Sequence, residues 1–95
     1  MKTRAVKDLQ RTLLAKGFLL NPDKGHHQYY ILMVDGLRTR VSTYFSHGAR
    51  DYGALLMQQV KKQLKFRSTA TAEAFFDCPL TAEEYVKLLR EQEDL

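Results

Sequence analysis

The sequence predicts an α+β fold: a two-layer sandwich in which a small antiparallel sheet carries helices on one face and leaves the other bare. Three observations lead there. Between Lys24 and Gly48, two runs rich in Tyr, Ile, Val, Thr and Phe flank an Asp35-Gly36 pair, the strongest short-range signal for a β-hairpin because a type I′ turn needs φ > 0 at both central residues. A short apolar run ending in turn residues precedes this hairpin, so the strands follow one another as an antiparallel meander. Stripes of helical period lie before and after them, which gives helices that cover one sheet face.

The elements follow in order. Thr3 sits where an N-cap would, Val6, Leu9 and Leu13 share a helical stripe, and Lys16-Gly17 supplies a cation and a C′ glycine, so a helix is expected from about Thr3 to Lys16. Phe18-Leu19-Leu20 forms a first strand, closed by the turn Asn21-Pro22-Asp23-Lys24-Gly25. With Asp35 and Gly36 as the hairpin turn, Val34 faces Leu37, Met33 faces Arg38, Ile31 faces Arg40, Tyr29 faces Ser42 and His27 faces Tyr44. Opposed residues share a face. One face then carries Tyr30, Leu32, Val34, Leu37, Thr39, Val41, Thr43 and Phe45 and reads as core, while the other carries His27, Tyr29, Ile31, Met33, Arg38, Arg40, Ser42 and Tyr44.

Beyond Ser46-His47-Gly48, Tyr52, Leu55, Leu56, Val60 and Leu64 make the apolar stripe of a second helix, with Gln58, Lys61, Lys62 and Lys65 on its outer side. Those lysines suit the C-terminal end of a helix dipole as well as they suit a phosphate. Ser68 caps a short helix to about Phe76, Asp77-Cys78-Pro79-Leu80 breaks it, and Thr81-Ala82-Glu83-Glu84 is a capping box that opens a last helix through Tyr85, Val86, Leu88 and Leu89. The chain divides into a body, residues 1–67, and a helical extension, residues 68–95, packed on the same domain.

A chain of 95 residues has room for a single core. No apolar run approaches a membrane span and the N-terminus lacks a signal pattern, so the expected location is the cytoplasm, with no membrane partner. Cys78 has no second cysteine to pair with and reads as a small packed side chain. The net charge of +4 is unevenly spread: residues 1–67 hold thirteen Lys and Arg against four Asp and Glu, a balance of +9, and residues 68–95 hold two against seven, a balance of −5. A basic body with an acidic tail points to a polyanionic partner, although charge also maintains solubility.

The bare sheet face gathers a histidine, two tyrosines and two arginines, with Lys24 and Arg50 at the edges of the same region. His26 and His27 are adjacent, point to opposite faces of a regular strand and do not share a metal ion; no Cys or carboxylate spacing completes a site, so neither a metal nor a cofactor is expected.

The helix, three-strand, helix order, Gly25-His26-His27 entering the second strand and Ser46-His47-Gly48 after the third together resemble the HicA family of bacterial toxins. The resemblance is to a longer branch, carried by His27-Gln28-Tyr29-Tyr30, Gly36, the Thr39 to Thr43 strand, Ser46-His47-Gly48 and Asp77-Cys78-Pro79-Leu80. It implies a double-stranded-RNA-binding-domain-like α-β-β-β-α sandwich with extra C-terminal helices. It also implies an mRNA-cleaving toxin of a type II toxin-antitoxin system, neutralised by a HicB-type antitoxin. Where the family has Gly-Ser-His, this chain has Gly25, His26 and His27, and the family's catalytic histidine matches His27.

The residues support the chemistry in their own right. Cleaving RNA needs a base near neutral pH for the 2′-OH proton, cations for the transition-state charge, and flat surfaces for bases. Histidine titrates in that range. His27 takes the acid–base role, Arg38 and Arg40 the phosphate-clamping role and Tyr29 and Tyr44 the stacking role, while Lys24, His26 and Arg50 extend the RNA-binding track. The arginines have a second use open to them, because edge cations discourage sheet-to-sheet aggregation. His47 has three: touching RNA, assisting His27, or holding the strand-to-helix corner. A non-catalytic RNA-binding module and a protein-interaction domain of the same fold are the alternative functions.

Overall fold

In the computed structural model, which describes residues 1–21, 27–46, 48–77 and 79–95, the chain runs β1 (Arg4–Ala5), α1 (Val6–Ala15), β2 (Phe18–Asn21), β3 (His27–Val34), β4 (Leu37–Ser46), β5 (Asp51–Tyr52), α2 (Ala54–Gln63), α3 (Thr69–Phe76) and α4 (Ala82–Glu91). Strands β2, β3 and β4 form a three-stranded antiparallel sheet in that order. The turn expected between Asn21 and Gly25, and the readings placed on Lys24, His26, His47 and Cys78, fall outside the described residues.

The hairpin turn is as the Asp-Gly pair requires, with Asp35 at φ 54° and Gly36 at φ 77°. Val34 pairs with Leu37 and Met33 with Arg38, as expected. The next pairings do not follow the simple register. Leu32 alone stands opposite Thr39, Arg40 and Val41, and beyond this bulge Ile31 pairs with Ser42, Tyr29 with Tyr44 and His27 with Ser46. The expected partners of Ile31, Tyr29 and His27 are therefore corrected by two positions. A slip of two leaves every side chain on its own face, because the side-chain period is also two.

Thr39 holds the bulge. Its Oγ1 donates to the Leu32 carbonyl at 2.9 Å and accepts from the Val41 N–H at 3.1 Å, occupying backbone groups that the interrupted ladder would leave open.

Burial bears out the two faces except at the hairpin tip. Tyr30, Leu32, Val41, Thr43 and Phe45 are buried, whereas His27, Tyr29, Ile31, Met33, Ser42 and Tyr44 are half-buried and Arg38 and Arg40 exposed. Val34 and Thr39, expected in the core, are only half-buried, and Leu37 is 71% exposed because the turn carries it past the helices. Val6, Leu9 and Leu13 of α1 and Met57 and Val60 of α2 join the buried sheet face in one core. Thr43 Oγ1 lies 2.6 Å from Gln63 Oε1, which ties α2 to that face.

Two local expectations are revised. The first helix begins at Val6 rather than Thr3, because Arg4 and Ala5 are extended and pair with Tyr52 and Asp51, and the Val6 N–H is taken by the Arg50 carbonyl at 2.8 Å. Strands β1 and β5 are only two residues each and leave no periodic trace in the sequence. The second helix is also rephased: Tyr52 belongs to β5 and Gly53 is the N-cap, so the buried stripe is Met57, Val60 and Leu64, and Leu55 is 88% exposed.

The extension forms as read, Ser68 and Thr81 both capping and Glu84 completing the capping box, where the Thr81 N–H holds the Glu84 carboxyl below its ordinary pKa. Ala72, Phe75, Phe76, Tyr85 and Leu89 all enter the core. Phe18 of β2 lies 6.2 Å from Tyr85 and 6.5 Å from Phe75, and the Tyr85 hydroxyl donates to the Leu64 carbonyl at 2.7 Å. Burial pushes the Tyr85 hydroxyl well above the usual phenol range. Residues 68–95 and the body thus share one interior.

Candidate nucleic-acid interface

Strand alternation puts His27 and Tyr29 on one face of β3, and the bulge-shifted register sets Tyr44 of β4 opposite Tyr29. The three rings pack together: His27 to Tyr44 is 4.7 Å between centroids, Tyr29 to Tyr44 is 5.2 Å, and His27 to Tyr29 is 6.1 Å in an edge-on arrangement. Gln59 of α2 reaches round the edge strand and donates to the Tyr44 hydroxyl at 3.3 Å. At the end of β4 the Ser46 N–H donates to the hydroxyl of buried Tyr52 at 3.2 Å, which anchors the strand opposite His27.

The imidazole is held by its neighbours yet keeps a free nitrogen. His27 is half-buried, and its Nδ1 is shielded with no hydrogen-bond partner among the described residues. Aromatic packing thus fixes the ring, and its shielded Nδ1 is a polar atom that the fold leaves without a partner among the described residues.

The arginines of the bare face share it with His27 without being near it. Arg38 pairs with Met33, six residues along β3 from His27, which corresponds to about 20 Å at strand rise. Arg40 lies in the bulge. Neither can clamp the same phosphate that meets the imidazole, so the gathering expected from the sequence is a shared face rather than a shared cluster. Arg38 instead borders a shallow trough with Leu19, Ile31 and Met33.

Cations stand nearer the His27 end from another direction. Arg50 and Lys7, both exposed, line an open cleft of about 440 Å³ with Gln10, Gln28, Ser46 and Asp51. Ser46 is the register partner of His27, but Gln28 bonds to Gln10 of α1, so the cleft lies on the helix side of β3 and the imidazole does not line it. Lys7 was not among the residues singled out from the sequence. It lies off the Val6, Leu9 and Leu13 stripe, but only the β1–β5 pairing brings the start of α1 beside Arg50. Lys24, His26 and His47 lie outside the described residues.

Among the described residues no three His, Cys, Asp or Glu side chains gather where a metal ion would bind, and no helix is long and apolar enough to cross a membrane. The arrangement therefore offers an aromatic platform, one imidazole and separated cations, a set suited to an unpaired nucleotide and its phosphates. The chain matches no protein-family model, no curated protein and no solved structure.

Proposed function

We propose that the protein is a metal-independent endoribonuclease in which His27 is the acid–base group. Within that class it is read as a cytoplasmic mRNA-cleaving toxin of the HicA type, held in check by a HicB-type antitoxin. The observation that carries the proposal is the His27, Tyr29 and Tyr44 cluster on the bare face of the sheet, with the His27 Nδ1 unclaimed by any described residue.

In this reading a base stacks on Tyr29 or Tyr44, which brings its ribose alongside the imidazole. His27 accepts the 2′-OH proton as the oxygen attacks the adjacent phosphorus, the P–O5′ bond breaks with the 5′-oxygen taking a proton from water, and a 2′,3′-cyclic phosphate remains. Arg50 and Lys7, at the same end of the sheet but on its helix side, add positive charge that draws the RNA backbone toward that end. The three-stranded antiparallel sheet with helices over one face supports the double-stranded-RNA-binding-domain-like architecture that accompanies this function.

The test is incubation of purified protein, free of any partner, with RNA and a chelator. Cleavage is expected for the wild type, loss of about a hundredfold or more for His27→Ala, and retention for His26→Ala. Binding without cleavage by the wild type supports a non-catalytic RNA-binding module, and neither binding nor cleavage supports a protein-interaction domain. Growth arrest on expression, relieved by a co-expressed antitoxin, tests the toxin assignment.

A further inference from the structure

We infer that the site takes a single strand of RNA laid along β3, and that Arg38, with Arg40 beside it, holds a phosphate several nucleotides away from the one that meets His27. This rests on the proposed function and adds the form of the substrate and the length of its footprint.

Four features carry it. The separation comes first: Arg38 and His27 are on one face but six residues apart along β3, about 20 Å, too far for one phosphate and suited to a strand of about four nucleotides or more, the lower end of the sites built from cations and stacking rings. Second, the interval is mainly apolar. Between the tyrosines and Arg38 run Ile31 and Met33, joined by Leu19 of β2, which is 57% exposed, and with Leu20 and Asn21 they line a trough of about 240 Å³. A trough of that kind accepts the face of an unpaired base and has nothing to offer the phosphate rails of a duplex, whose bases are hidden.

Third, Arg38 and Arg40 are in no ion pair among the described residues, although Asp35, Glu93 and Asp94 line the same open cleft of about 620 Å³ at the hairpin end. Two exposed guanidinium groups beside carboxylates they do not engage are available to a phosphate. The carboxylates beyond them repel one, so the path of the strand ends there. Fourth, the bulge that turns Arg40 outward is secured by the two Thr39 hydrogen bonds, and a bulge is a device that re-aims a side chain.

The experiment compares wild type with an Arg38→Ala, Arg40→Ala double variant on dinucleotide and octanucleotide substrates. Cleavage is followed with RNA, binding with the 2′-O-methyl forms, which lack the attacking hydroxyl, and folding by circular dichroism. The expected result is a loss of about tenfold or more in octanucleotide affinity, a salt slope reduced by about 0.7 for each arginine, a raised KM with unchanged kcat on the octanucleotide, and no change on the dinucleotide. An equal loss on both lengths, no loss on either, or a perfectly paired RNA duplex that competes as well as the single strand overturns the inference. Length-dependent binding in a protein that cleaves nothing upholds the distal subsite and removes the nuclease reading. Cleavage by the wild type with no length-dependent effect of the arginines does the reverse.

Discussion

The Lys16 ammonium lies 4.5 Å from the centroid of the Phe75 ring and donates to the carbonyls of Phe75 and Leu80, the latter at 2.6 Å. One cation at the end of α1 thus closes the C-terminal end of α3, whose last carbonyls have no partner within the helix. Lys16 is buried, with only 7% of its surface exposed, and it fastens the extension to the body.

Replacing Lys16 with Met keeps the length of the side chain but removes its charge and its hydrogen bonds. Both carbonyls then lose a charged donor, and stability is expected to fall by about 2–3 kcal/mol. Urea denaturation checks this, and an unchanged midpoint would show that water replaces the ammonium without cost.

A second clasp depends on pH. The half-buried Arg4 guanidinium donates to Glu73 at 2.8 Å and to Asp77 at 2.9 Å. The hydrogen bond from Arg4 holds the Asp77 carboxyl below its ordinary pKa of 3.8, against the opposing effect of burial. A folded pKa below the unfolded one adds stability above the ordinary value, and that stability is lost as pH falls through the folded value. Wild type should therefore exceed Asp77→Asn in stability at pH 7, and the gap should narrow as pH falls below about 4. Denaturation curves at pH 7 and pH 3 measure it.

Deleting residues 68–95 is expected to unfold the body. Phe75, Tyr85 and Leu89 are fully buried in the shared core. Each large apolar side chain contributes about 1.5–3 kcal/mol by burial, against a total stability of about 5–15 kcal/mol for a domain. A cooperative thermal transition in residues 1–67 alone would refute this, and would make the extension an attachment rather than part of the domain.

At the interface, Tyr44→Ala is expected to weaken RNA binding by about 1–3 kcal/mol through loss of a stacking surface. Tyr44→Phe should retain most of it, because its hydroxyl meets only Gln59 among the described residues. Fluorescence anisotropy with a 2′-O-methyl oligonucleotide separates the two, and equal losses would show that the hydroxyl rather than the ring makes the contact.

The amino-acid sequence by itself determined the α+β class, the turn at Asp35 and Gly36, the caps at Ser68 and Thr81 and the division of the hairpin into two faces. Those features depend on short-range chemistry, on which residues tolerate φ > 0 or cap a helix, and on a side-chain period that a slip of two does not disturb. Tertiary structure alone decided the rest. The bulge at Thr39 to Val41, which moved Tyr44 opposite Tyr29 and took Arg40 from its expected place opposite Ile31, depends on backbone pairing that no pattern records. The phase of α2, the pairing of Arg4 with Tyr52 and the burial of Lys16 beneath the extension likewise join residues distant in the chain. Such contacts form only when packing makes them favourable, and packing is a property of the whole fold rather than of any one stretch of residues.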